Sequence, residues 1–124
     1  MSEKLPISEF SPQDRSIQVY VVQPEDPNYE KFQELFSEDA YGHGFCLLQH
    51  NLVIIDGMVK RSLGPDHMRA VEAHEVAHIV CEHEGYRIYE QEIEADKVAI
   101  DMLVERGYFR SAELLRERLK RANE

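Results

Sequence analysis

The stretch AVEAHEVAHIVCEHEG, residues 70–85, sets two of the chain's 6 histidines four residues apart, with a glutamate directly after the first. On a helix, residues four apart lie about 40° from each other around the axis, so His74 and His78 would present two imidazoles side by side. Two neutral imidazoles at that spacing can grip one Zn²⁺, and a glutamate beside them can take a proton from a water that the metal activates. His74 and His78 are therefore candidate metal ligands and Glu75 a candidate general base. Ala70, Val71, Ala73, Ala77, Val80 and Cys81 cover much of the remaining circumference, which predicts a buried helix. A bare pair of this kind also arises from ordinary histidines that find other contacts, so further residues must decide.

A hydrolytic metal site takes three protein ligands and keeps one position open. Glu82, His83, Glu84, Glu90, Glu92, Glu94 and Asp96 all follow closely enough to compete for the third place. Helical arithmetic separates them. Glu94, Lys97, Asp101 and Glu105 share one polar face, whereas Glu92 and Asp96 fall among Ala95, Ala99, Met102 and Leu103. A carboxylate on an apolar face costs several kcal/mol without a partner. A metal with its histidines supplies one, which makes Glu92 the third ligand. Asp96, one turn on, then accepts the N–H of a ligating imidazole. Pairing with arginine or lysine at a core edge is the alternative for these two acids. A competing design with Glu84 as ligand asks for glycine where Cys81 stands.

Several elements must position these groups. SIQVYVVQ, residues 16–23, alternates and is rich in β-branched residues, predicting a strand, and NYEKFQELFS, residues 28–37, predicts a short amphipathic helix. FCLLQHNLVIID reads as two strands of an antiparallel hairpin, with a short helix from Gly57 to Leu63. Helices are then expected from Asp66 to Glu84, stopped at Gly85; from Arg87 to Arg106, stopped at Gly107; and from Ser111 onward. N-terminal antiparallel strands followed by an active-site helix, a glutamate-bearing helix and a C-terminal helix make an α+β domain. At 124 residues, one domain over 1–124 is expected.

The formal charge of -10 disfavours phosphate backbones and anionic lipid surfaces, leaving a polypeptide as the expected partner and no nucleic acid. The start, MSEKLPISEF, has charges and a proline where a signal peptide needs an apolar stretch, and the most apolar run stops at Asp56. No membrane span and a cytoplasmic location are expected, with Cys46 and Cys81 as reduced thiols. Oligomeric state is not legible.

HEVAHIVCEH followed by EIEADKVAIDMLVERGY resembles the gluzincins, zinc peptidases with H-E-x-x-H on one helix and E-x-x-x-D on the next. The two blocks are most similar to those of the HtpX and CAAX-prenyl-protease branch and of soluble minimal gluzincins, and NLVIIDGMVKRSLGPDHMRAVEA is similar to that branch's lead-in. The likeness covers residues 51–119, the motif-bearing part. It implies a zincin-like fold, Zn²⁺ held by His74, His78 and Glu92, Glu75 as general base and acid, and Asp96 as the orienting carboxylate. The implied activity is a zinc metalloendopeptidase. That branch is usually anchored in a bilayer, so its membrane-protein substrates do not carry over.

Tyr89, three residues before Glu92, is the first candidate for stabilising the tetrahedral oxyanion, ahead of Tyr86, Tyr108 and His67. YGHGFCLL has glycines for close backbone approach beside a strand edge, where a peptide could add as a further strand; His43 within it reads as a surface residue. The helix from Ser111 reads as an amphipathic cover. The rival to a peptidase is a metal-binding regulatory or interaction module that cleaves nothing.

Overall fold

The computed structural model describes residues 5–37, 42–84 and 89–122. Within them lie a three-stranded sheet and five α-helices, a mixed α+β architecture. The strands are β1 (Gln18–Val22), β2 (Gly44–Leu47) and β3 (Leu52–Asp56), in the order β1-β3-β2. β2 and β3 form the expected antiparallel hairpin, joined through a single 3-10 turn at Leu48–His50 and left-handed Asn51.

The expectation that all N-terminal strands run antiparallel is corrected at β1, which pairs parallel with β3, Gln18 opposite Leu52 through Val22 opposite Asp56. Parallel neighbours need a connection long enough to return the chain to its starting end. The segment containing α1 (Tyr29–Phe36) and β2 provides it, leaving the hairpin on the far side of β3. Residue alternation reports which face a side chain takes and carries nothing about strand direction, so the sequence pattern alone fits either arrangement.

After the short α2 (Met58–Leu63), the chain is helical: α3 (Pro65–Val80), α4 (Tyr89–Glu105) and α5 (Phe109–Ala122). Pro65 opens α3 at a position where its missing N–H costs nothing. α5 begins two residues before the expected Ser111. The predicted run of α3 to Glu84 is too long: the helix stops at Val80, for a reason tied to the site below. The predicted start of α4 at Arg87 lies outside the described residues.

The main core gathers Ile17, just before β1, and Val19, Val53 and Ile55 from the sheet with Ala73, Val76, Ala77 and Ile79 of α3, Ala95, Ala99 and Leu103 of α4, and Leu115 of α5. Alanines take much of the facing sides of α3 and α4, leaving room between the helices for the longer polar side chains to reach one another. A smaller cluster of Val22, Phe36 and Ile54 holds α1 on the other face of the sheet.

Candidate metal centre

α3 buries nearly its whole second half, including three groups that would normally seek water: His74 (1% exposed), Glu75 (0%) and His78 (0%). Burying them is tolerable only if partners replace their hydration. α4 supplies such partners. Its inner face carries Glu92, Ala95, Asp96, Ala99, Ile100 and Leu103, all buried, while Glu94, Lys97, Asp101 and Glu105 are exposed.

The structure brings His74, His78 and Glu92 to one point. His74 Nε2 lies 3.1 Å from His78 Nε2; Glu92 Oε2 lies 2.9 Å from His74 Nε2 and 3.3 Å from His78 Nε2. The other Glu92 oxygen, Oε1, is buried with no hydrogen-bond partner among the described residues. Burial alone would raise the Glu92 carboxyl, but hydrogen bonds from the two imidazoles outweigh it and hold the group well below the usual carboxylate range.

His74 is gripped from both ends. Its Nδ1–H donates to Asp96 Oδ1 at 2.7 Å, opposite the Nε2 that faces Glu92. Burial pulls this imidazole's pKa down, yet the hydrogen bonds to Asp96 and Glu92, aided by the charges of Glu75 and Asp96, push it up to about 10. Asp96 is itself held by Arg118 of α5, which donates from Nη2 to Oδ1 at 2.6 Å and from Nε to Oδ2 at 3.2 Å. The acid thus has both an imidazole and a guanidinium as partners, and its carboxyl stays below its usual range because these contacts offset its burial. The arginine pairing that the sequence offers as the alternative for these two acids is thus met at Asp96, though on a helical wheel Arg118 is one more cation on an amphipathic cover. Only the packing of α5 against α4 turns it inward.

A third imidazole joins at the end of α3. Cys81 caps the helix, and Glu82 takes a left-handed conformation (φ 57). Glu82 N–H donates to Ile79 O at 3.0 Å and His83 N–H to His78 O at 3.0 Å, the pair of bonds of a Schellman cap. Such a cap habitually packs the second residue beyond it against the third residue from the helix end. Here those are His83 and His78: their rings sit 5.1 Å apart and their Nδ1 atoms 2.9 Å apart. His83 Nε2 faces Glu94 Oε1 at 2.7 Å. A glycine at position 82 would mark this cap in the sequence; with glutamate there, the first glycine after the helix is Gly85, three residues beyond the actual turn.

The remaining candidates separate clearly. Glu84 is exposed, and Glu82 is exposed and paired with Arg15 at 2.8 Å, so neither converges on the two imidazoles. Tyr89 opens α4 and is 54% exposed. Tyr108 packs edge-on to Phe10 and donates to Glu9 at 2.6 Å, and His67 Nδ1 lies 3.1 Å from Leu63 O. Tyr86 lies outside the described residues. His43 is half-buried where a surface position was expected. β2 is one edge strand of the sheet, and Gly44 lies against α3 so that an added Cβ would stand 3.3 Å from Val71 Cγ1 and 3.4 Å from Glu75 Cγ, and 3.0 Å from Ile54 O of β3.

The residues fit a bound metal on their own geometry. With bonds of about 2.0–2.1 Å, tetrahedral ligand atoms lie roughly 3.3 Å apart. The triangle of 2.9, 3.1 and 3.3 Å needs only a slight opening to match, and its borderline N and O donors suit Zn²⁺. Among the described residues no helix is long and apolar enough to cross a membrane. The chain matches no curated protein and no solved structure. The model of Peptidase family M48 matches residues 7–91, which include His74, Glu75 and His78 and stop one residue short of Glu92. Spanning more than half of the sequence, that match shows that the chain belongs to this family of zinc metallopeptidases.

Proposed function

We propose that the protein is a gluzincin-type zinc metalloendopeptidase in which His74, His78 and Glu92 hold the metal. The observation that carries this reading is the buried triangle of His74 Nε2, His78 Nε2 and Glu92 Oε2, with an otherwise unpartnered Glu92 oxygen beside it. When bound there, Zn²⁺ supplies Lewis-acid activation of water and of a peptide carbonyl. The chain's own residues do the rest. Glu75, directly after the first ligand and wholly buried, takes the proton of the attacking water and returns it to the leaving amine. Asp96, locked by Arg118, fixes His74 with its proton on Nδ1 and its Nε2 toward the metal. The polypeptide substrate lies along the open edge of β2, where Gly44 keeps the strand close to Glu75. Within this zincin-like scheme, Tyr89 donates to the developing oxyanion.

Glu75→Gln is expected to keep the wild-type zinc content by elemental analysis while losing hydrolysis of a mixed peptide library by about 10²-fold or more. Normal turnover in this variant would remove Glu75 from the mechanism. Zinc without hydrolysis in the wild type would instead leave a silent metal-binding module. Tyr89→Phe should lower kcat with zinc affinity unchanged; an unaltered kcat excludes its hydroxyl.

A further inference from the structure

Beyond the inner triangle, the cap that ends α3 gathers a second set of metal-ligating atoms. Cys81, His83 and Glu94 each offer one donor, and the three donor atoms lie within 4.8 Å of one another. None of the three belongs to the inner set. His83 is buried (8% exposed), Cys81 is half-buried and Glu94 is exposed, so the cluster runs from the interior to the surface. His83 also lines a cleft of about 440 Å³ with Cys46, Leu48, His50 and Glu84, which gives a solvated ion a way in.

The backbone is bent at this place in a manner that brings the donors together. Glu82 adopts φ 57, a region that side-chain-bearing residues rarely take, and the resulting reversal sets Cys81 and His83 over the first turns of α4, where Glu94 stands. Glu94 accepts hydrogen bonds from both of its neighbours, from His83 Nε2–H at 2.7 Å and from the Cys81 thiol. Burial, together with that carboxylate, holds the thiol protonated, its pKa pushed up to about 11. Two protons are therefore held between a sulfur, a ring nitrogen and a carboxylate oxygen, the positions that a single dication would fill in their stead.

We propose that Cys81 Sγ, His83 Nε2 and a Glu94 carboxylate oxygen form an outer binding site for a thiophilic divalent cation such as Zn²⁺, adjoining the inner triangle. The donor set of one thiolate, one imidazole and one carboxylate selects a borderline or soft ion over Mg²⁺ or Ca²⁺. Binding displaces the thiol proton to solvent, and neutral His83 moves its ring proton to Nδ1 so that Nε2 can face the cation. The two sites share one contact, His78 Nδ1 against His83 Nδ1 at 2.9 Å. If His78 ligates through Nε2, its Nδ1–H donates to His83, and a cation on the far nitrogen of His83 competes with that hydrogen bond. This coupling alone rests on the peptidase reading; the outer site stands on its own three ligands.

The test is a titration of the metal-free full chain with Cd²⁺, following the ultraviolet thiolate-to-cadmium charge-transfer band and counting bound cadmium by equilibrium dialysis. The wild type is expected to develop the band. Cys81→Ser should lose it, Cys46→Ser should keep it, and Glu94→Gln should shift the titration to higher cadmium. The His74→Ala variant, with the inner triangle broken, should still show the band, which separates failure of the outer site from failure of the inner one. Absence of the band in the wild type, its survival in Cys81→Ser, or its indifference to both Glu94→Gln and His83→Ala would overturn the proposal.

Discussion

Six side chains in contact define the centre: His74, His78 and Glu92 at the triangle, Asp96 and Arg118 behind His74, and His83 behind His78. Each imidazole of the triangle has its far nitrogen occupied, one by a carboxylate and one by another ring, so neither can turn without breaking a short hydrogen bond. The role of Glu92 is testable against its neighbour Glu90, which is exposed at the start of the same helix. Glu92→Ala should lose the inner metal on elemental analysis and Glu90→Ala should keep it; the reverse result would reassign the third ligand. Asp96→Asn should lower zinc affinity by roughly 10- to 100-fold, the usual cost of losing a hydrogen-bond partner behind a ligand, as read by competition with a chelator. Wild-type affinity in that variant would confine Asp96 to holding α5.

At the scale of elements, the end of α3 is where local cost and site geometry meet. A non-glycine residue in the left-handed region gives up about 1 kcal/mol, and the Arg15–Glu82 ion pair, whose glutamate is mostly exposed, recovers only a fraction of it. Glu82→Gly should therefore raise stability in denaturant unfolding by roughly 1 kcal/mol, or about 4 °C in Tm, with the cap retained. A loss of stability would mean that the glutamate side chain matters more than its backbone strain. The faces of α3 and α4 could be read in advance because helical periodicity is local: 100° per residue puts Glu92 and Asp96 inside and Glu94 outside regardless of the rest of the fold. The cap could not, because its usual glycine is absent, and neither could the parallel pairing of β1 with β3, which depends on the path of the chain between them.

For the molecule as a whole, the proposed inner site concentrates ionisable groups away from water. Two imidazoles and the carboxyls of Glu75, Glu92 and Asp96 lie in the same buried layer between α3 and α4, a concentration of charge that a cation would balance. Metal that binds only the folded chain adds stability by mass action, about 4 kcal/mol when free metal exceeds its dissociation constant a thousandfold. Zinc should thus raise the unfolding midpoint of the metal-free protein, and a strong chelator should return it. A midpoint indifferent to zinc would show that the triangle does not take it up.

Residue identity and spacing alone determined which groups could meet: two histidines one turn apart, two acids one turn apart, and the inner faces of the helices that carry them. These follow from the fixed geometry of a helix and need nothing distant in the chain. Tertiary structure decided the partners that arrive from elsewhere, Arg118 from α5 onto Asp96 and His83 from the cap onto His78, as well as the closeness of Gly44 to Glu75. The Arg118 and Gly44 contacts depend on how separate elements pack, and side chains far apart in sequence carry no periodicity that relates them; the His83 contact is local, five residues from His78, and is hidden in the sequence because glutamate stands where the cap's glycine is usual.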